Sequence, residues 1–234
     1  MPLPPLHIHQ PGEVPYRTAW AWQQERLARM VRDPEFPDGL LLLTHPAIYT
    51  LGTGADTKFL KSLAQPIGSP QEVASGEAIE VLRVERGGEV TYHGHGQWVG
   101  YSLLNLKRHQ PDLHRYLRQL EQVLIECLAY FGLKGERIRG LTGVWVEGSK
   151  LAAIGIKVSR WITYHGFALN VCPDLTAFEQ IVPCGIPDRP VGSLVQFCPH
   201  ITMAAVAPVL LESFCAVFGL QPQPVSLAEW LGEA

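Results

Sequence analysis

Residues 144–171 read VWVEGSKLAAIGIKVSRWITYHGFALNV. Val144-Trp145-Val146 and Leu151 to Val158 are two β-type runs, and Glu147-Gly148-Ser149 between them is a hairpin signal. Trp161 to Val171 supplies a third run with no helical segment in between. Strands that cluster in this way, instead of alternating with helices, point to a mixed or antiparallel sheet and not a doubly wound one.

The pattern holds outward from this segment. Upstream, Leu117, Leu120, Leu124, Cys127, Leu128 and Phe131 recur at helical spacing and predict a long helix over Leu113–Phe131. Before it, Trp98 to Leu106, Glu89 to Tyr92 and Ile79 to Val84 read as strands, with Gly87-Gly88 turning between the last two. Leu40-Leu41-Leu42-Leu43 reads as a buried strand, and Tyr16 to Val31, preceded by Pro15, as the first helix. Thr57 to Gly76, rich in Lys, Ser, Gln, Pro and Gly, reads as a long loop. Downstream, apolar spacing predicts a helix over Ala204–Phe218. Pro208 inside it implies a late start or a kink. Ser226 and Glu229 suit a capping box on a short last helix. The expectation is an α+β fold, a mixed β-sheet flanked by helices, in a single domain over residues 1–234.

Composition excludes several function classes. The 234 residues carry a formal net charge of −3, which gives no electrostatic case for binding nucleic acid. The apolar run at 40–43 is cut short by Thr44-His45-Pro46, so no membrane span is expected. The N-terminus, Met1-Pro2-Leu3-Pro4-Pro5, lacks the regions of a signal peptide. The expected location is the cytoplasm, where thiols stay reduced. Five cysteines occur, at 127, 172, 184, 198 and 215. With no Cys-x-x-Cys pair among them, neither a metal site nor a disulfide framework is expected.

Four segments carry chemistry. Arg86-Gly87-Gly88-Glu89-Val90-Thr91-Tyr92-His93-Gly94-His95-Gly96-Gln97 sets donors beside glycines whose backbone can approach a ligand closely. It fits a binding loop, and also a glycine-rich hairpin with polar surface residues. Lys150 opens the apolar run Leu151-Ala152-Ala153-Ile154-Gly155-Ile156. It reads as a proton shuttle or thiolate partner, or as a surface lysine with its stem packed on the sheet, which spacing alone favours. Thr163-Tyr164-His165-Gly166-Phe167-Ala168-Leu169-Asn170 repeats the Thr-Tyr-His-Gly of residues 91–94, as two strand ends converging on one pocket would, or by coincidence. For His165 itself a satisfied, partly buried histidine is the preferred reading. Finally, Ile181-Val182-Pro183-Cys184-Gly185-Ile186-Pro187 places a cysteine in a turn, where sulfur is accessible to a substrate. Cys127 and Cys215 fall on apolar helix faces, where burial is the default. Cys184 is therefore the best candidate nucleophile of the five, beside the plainer reading of a loop cysteine without a role.

Together these segments resemble the octanoyltransferase family of lipoate biosynthesis. Its pattern Arg-Gly-Gly-x-Val-Thr-Tyr-His-Gly-x-Gly-Gln is met from Arg86 to Gln97, and Lys-x-Ala-x-x-Gly from Lys150 to Gly155. Tyr-His-Gly-x-Ala-x-Asn is met from Tyr164 to Asn170, and Pro-Cys-Gly-Ile from Pro183 to Ile186. His45-Pro46-Ala47-Ile48-Tyr49-Thr50-Leu51-Gly52 is similar to a fifth motif, so the likeness runs from Tyr16 to Leu194. Two positions depart from the pattern: His95 stands where the family has proline, and Gly192 where it has threonine.

The resemblance implies the fold of the biotin and lipoate protein ligase catalytic domains. It implies that Cys184 and Lys150 are catalytic, and that Arg86 to His93, Ala153, Ile154, Gly155, Gly166, Phe167 and Ala168 bind the acyl substrate. The implied donor is octanoyl-acyl carrier protein. The implied acceptors are lipoyl domains of 2-oxoacid dehydrogenases and the glycine cleavage H protein. A thioester on Cys184 is the implied intermediate, with no cofactor, no metal and a monomeric enzyme.

Overall fold

Leu40, Leu41, Leu42 and Leu43 are all buried in strand β2 (Asp38–Thr44). An unbroken apolar run suits a strand covered on both faces, because alternate side chains then enter two different cores. Leu40 and Leu42 join one core and Leu41 and Leu43 another. The computed structural model that shows this describes residues 2–61, 70–72, 78–185 and 189–233, without the side chains of 70–72, 78 and 184.

Among the described residues the strands form two sheets. β1 (Pro5–Glu13), β2, β7 (Gln97–Leu103), β8 (Glu136–Ile138), β9 (Leu141–Val146), β10 (Ser149–Ser159), β11 (Ile162–Asn170) and β12 (Gln221–Pro224) make the large one. Its order is β12-β1-β2-β7-β11-β10-β9-β8. β1 runs parallel to both β2 and β12, and the other pairs are antiparallel. The small sheet holds β3 (Ile48–Leu51), β4 (Pro70–Glu72), β5 (Ala78–Arg83) and β6 (Val90–His93), in the order β4-β5-β3-β6. β3 therefore separates the two strands that flank Gly87-Gly88, which turn between non-neighbours. Of the expected loop at 57–76, residues 57–59 form a 3-10 turn and 70–72 form β4. The remainder from 62 to 69 and from 73 to 76 lies outside the described residues.

Helices cover both faces of the large sheet. α1 (Tyr16–Arg32) buries Tyr16, Ala19, Gln23, Arg26, Leu27 and Met30, a stripe at helical spacing. α2 (Leu113–Tyr130) and α4 (Met203–Phe218) cover the other face. Asp112 caps α2 by accepting from His114 N and Arg115 N at 2.8 and 3.1 Å, worth about 1 kcal/mol. α4 runs through Pro208 instead of starting after it. The short helices α3 (Thr176–Glu179) and α5 (Leu227–Leu231) complete the chain, and α5 carries the expected Ser226–Glu229 capping box. β12 reads Gln-Pro-Gln-Pro. Proline cannot donate on an outer edge, so this strand closes the sheet without inviting a further one. No helix among the described residues is long and apolar enough to cross a membrane.

Candidate active site

Gly155 on β10 and Gly166 on β11 are register partners. A methyl group on Gly155 would come within 2.9 Å of the Gly87 carbonyl oxygen and 3.1 Å of Arg86 Cδ. One on Gly166 would strike the Gly100 carbonyl oxygen. Gly155 lets the Arg86–Gly88 loop lie against the sheet, where Gly87 N donates to Ile156 O at 2.9 Å, and Gly166 lets β7 approach β11 closely.

A cavity of about 210 Å³ follows this seam. Val99 and Tyr101 of β7, Ala153 to Gly155 of β10 and Gly166 to Ala168 of β11 line it on the side of the large sheet. Arg86, Gly88, Glu89, Thr91 and His93 face them, Lys150 and 140–142 add another wall, and Tyr16 comes from α1. Most of the acyl-binding residues expected from the motifs are therefore brought together. Val90 and Tyr92 instead pack into a separate small core with Tyr49, Leu51 and Phe178. Gly87 serves the seam through its backbone. Tyr16, Val99, Tyr101 and residues 140–142 were not expected as walls. They lie outside the four segments singled out in the sequence.

Arg86 is fixed in place. Its Nε and Nη2 donate to Thr50 Oγ1 at 3.2 and 2.9 Å, Nη2 also donates to Thr50 O at 2.6 Å, and Nη1 donates to Gly87 O at 3.0 Å. His93 Nδ1 lies 2.8 Å from Gln97 Oε1. Gln97 uses its own amide to donate to Asn170 Oδ1 at 2.8 Å, so His93 carries its proton on Nδ1. Burial, and then nearby His45, pushes His93 down to about 3. Burial likewise pushes His45 down to about 4. Both rings are therefore neutral at physiological pH.

Lys150 is not the surface lysine that spacing favoured. It is buried, with a relative exposure of 7%. A bulge in the β9–β10 pairing follows it, and such bulges re-aim side chains. Its chain crosses Gly143, where a methyl group would lie 2.7 Å from Lys150 Cε. Gly143 sits at φ +129, a conformation that favours glycine. Lys150 Nζ lies 5.1 Å from the Trp145 ring centroid. The expectation failed because residues 190–192 return from a distant part of the chain and cover this strand. Lys150 N donates to Pro190 O at 2.8 Å, and Gly192 N donates to Lys150 O at 3.0 Å.

Those residues follow Cys184, whose turn is tied on both flanks. Upstream, Lys61 N donates to Gln180 O at 2.9 Å and Val182 N donates to Phe59 O at 2.8 Å. Residues Pro183–Gly185 form a 3-10 turn, with Gly185 at φ +69. A small cavity beside the main one is lined by both Lys150 and Pro183, the residue before Cys184. It shares Thr91, Ala153 and Ala168 with the main cavity. The Cys184 thiol, Ile186 and Pro187 lie outside the described residues.

His165 departs from the satisfied, partly buried histidine that was preferred. It is 1% exposed, its ring nitrogens make no hydrogen bond among the described residues, and Nε2 lies 3.8 Å from Glu85 Oε1. Its backbone lies at φ +57 in the middle of β11, a strain of order 1–3 kcal/mol. His93, at the end of β6, lines the same cavity, so the repeated tetrapeptides do converge.

Residues 15–215 match the Lipoyl protein ligase A/B catalytic domain. An octanoyltransferase of Synechococcus sp. (strain JA-2-3B'a(2-13)) is 79% identical, over 99% of this chain and 89% of the relative. The chain belongs to the octanoyltransferases. A more distant octanoyltransferase, from Gloeobacter violaceus, is 56% identical over 93% of this chain and 92% of its own. In fold, this octanoyltransferase is similar to a crystal structure of lipoate-protein ligase A bound with ATP. That likeness has a TM-score of 0.71 at 13% identity and covers 100% and 94% of the two chains. The α+β expectation and the ligase-like architecture are borne out.

The other cysteines of this octanoyltransferase are sorted by burial. Cys127 and Cys215 are buried, and burial raises their thiols to about 12 and about 11. Cys172 is exposed and Cys198 half-buried. Among the described residues, no group of three or more His, Cys, Asp or Glu side chains could hold a metal ion.

Proposed function

We propose that the chain transfers an octanoyl group from octanoyl-acyl carrier protein to a lysine on a lipoyl domain, through a thioester on Cys184. The observation that carries this reading is the small cavity shared by Lys150 and Pro183, which adjoins the glycine-seamed cleft. The cleft suits a flexible apolar chain, and the shared cavity suits the reacting carbonyl.

In the first step the Cys184 thiolate attacks the thioester carbonyl, and the carrier's phosphopantetheine sulfur leaves as a thiol. Lys150 stabilises the attacking thiolate and supplies the leaving group's proton. In the second step the acceptor lysine amine attacks the acyl-enzyme carbonyl. The Cys184 sulfur is expelled as thiolate, and Lys150 takes the proton lost by the amine. The bond broken is a thioester and the bond formed is an amide, so the second step runs downhill without ATP. Arg86 to His93, with Ala153 to Gly155 and Gly166 to Ala168, hold the chain. The acceptors are lipoyl domains of 2-oxoacid dehydrogenases and the glycine cleavage H protein. The enzyme works as a single-domain monomer in the cytoplasm, where its thiols stay reduced.

Intact mass spectrometry after mixing with octanoyl-acyl carrier protein tests the central step. A gain of one octanoyl group, lost in Cys184→Ala, supports it. Octanoylation of a lipoyl domain at the wild-type rate by Cys184→Ala overturns it. Free octanoate plus ATP, offered in place of the carrier thioester, separates transfer from ligase chemistry.

A further inference from the structure

We propose that a groove beside the Cys184 turn receives the phosphopantetheine arm of the donor, with its phosphate held by Lys61 and Arg189. The inference rests on the proposed transfer from a carrier thioester. The groove has a volume of about 320 Å³. It shares Phe178, Pro183 and Val191 with the small cavity that Lys150 lines. That small cavity in turn shares Thr91, Ala153 and Ala168 with the acyl cleft. The three spaces therefore run in series, with the Lys150–Pro183 cavity in the middle.

A thioester needs such a series. Its acyl chain and its sulfur leave the carbonyl carbon in different directions. With the octanoyl chain in the cleft and the carbonyl in the middle cavity, the arm must exit by another path, and the groove adjoins that cavity. Phe178, Pro183 and Val191 offer apolar surface to the arm's methylenes and dimethyl carbon. Lys61 and Arg189 are the cations among the described lining residues, beside one carboxylate, Glu179. Both cations are exposed. Among the described residues no ion pair engages any of these three. The described walls thus carry a surplus positive charge and two charged donors suited to phosphate oxygens.

Reach agrees with this placement. Lys61 N donates at 2.9 Å to the carbonyl oxygen of Gln180, which precedes Pro183 by three residues, so at most about 11 Å of chain lies between. Arg189 precedes Pro190, whose carbonyl oxygen accepts from Lys150 N at 2.8 Å. The arm has about 13 bonds from sulfur to phosphorus and spans roughly 16 Å when extended. It is long enough to join the reacting carbonyl to either cation.

The test compares loading of Cys184 by octanoyl-pantetheine and by octanoyl-phosphopantetheine methylated on its phosphate, which keeps the single negative charge of the carrier linkage. Loading is followed by intact mass for the wild type and for the double variant Lys61→Gln/Arg189→Gln. We expect the wild type to favour the phosphorylated donor at least about fivefold in kcat/KM, as two exposed cations would allow. In the double variant the preference should fall below twofold. Each protein's ratio is its own control, because a disturbed fold slows both donors alike. A wild-type preference under fivefold overturns the proposal. So does a double variant that keeps a preference of twofold or more, which would place the phosphate elsewhere. If that variant also hands its octanoyl group to a lipoyl domain more slowly, the groove belongs to the acceptor. Should the small donors load too slowly to measure, their inhibition of loading from octanoyl-acyl carrier protein is judged by the same ratios, and no inhibition by either overturns the proposal. Failure of all three donors to load Cys184 would instead remove the proposed reaction, and this inference with it.

Discussion

The side-chain amide of Asn170 donates to the Gly192 carbonyl oxygen at 3.0 Å. Gly192 in turn donates its N–H to Lys150 O. The segment after Cys184 is therefore held twice, by one side chain on β11 and by its own backbone to the strand that carries Lys150. Asn170→Ala removes the side-chain tie, leaves the buried Gly192 carbonyl without its side-chain donor and strips the Gln97 amide of the shorter of its two bonds, the other running to Tyr92 O at 3.3 Å. We expect a loss of about 1–3 kcal/mol in urea unfolding. The transfer rate should fall at least tenfold while KM for the carrier thioester changes little. Equal effects on both constants would assign Asn170 a purely structural part.

Lys150→Met keeps the length of the side chain and its packing over Gly143 but removes the amine. On the proposed mechanism, transfer falls by at least a hundredfold, as for loss of a general acid or base. Alkylation of Cys184 by iodoacetamide at pH 7 should slow by about tenfold, because fewer molecules hold the thiolate. Unchanged alkylation would remove Lys150 from thiolate stabilisation.

Gly155→Ala pushes a methyl group toward the Gly87 carbonyl and Arg86 Cδ. Overpacking of this kind costs about 1–3 kcal/mol. The Arg86 loop must lift from the sheet, so acyl binding should weaken more than Tm alone would suggest. Fatty-acid titration alongside thermal melting checks this.

His45 and His93 are both held below their ordinary range by burial, at about 4 and about 3. The unfolded chain binds their protons below about pH 6.5, whereas the folded chain refuses them until the pH is far lower. Their contribution to stability is therefore complete above pH 6.5 and is lost as the pH falls toward 4. Glu85 has the opposite origin. Burial works against its charge, yet His165 and Trp20 bring it down to about 2, so its contribution is lost only below its ordinary value. Urea midpoints at pH 7, 6 and 5 should fall in that order, with a shallower slope in His93→Gln. A flat profile would contradict the neutral, buried rings.

The long periodic elements were legible because one local rule governs each. The α1 stripe, the four leucines of β2 and the β9–β10 hairpin all declare themselves within a few turns or strand residues. β1, β3 and β12 did not. Their sequences, PLHIHQPGE, IYTL and QPQP, carry prolines or are too short, and they are strands because distant segments offer hydrogen bonds. The site divided the same way. Glycines and the Pro-Cys-Gly turn point to close backbone approach and could be read directly. The burial of Lys150 depends on residues 190–192 folding back, and the stranded ring of His165 depends on a single backbone angle. Neither leaves a periodic trace. Gly192 is explained by space: a methyl group there would lie 2.9 Å from Ser149 Cβ and 3.1 Å from Gln196 Oε1.

The pairing of β1 with β12 also has a timetable. A ribosome delivers the first strand early, and β2 can flank it soon afterwards. Its other side must wait for residues 221–224, about 10–40 s later at ordinary elongation rates. For that interval the nascent protein shows an open flank to its neighbours on the polysome. Early chaperone contact with residues 5–13 would shield it until the last strand arrives.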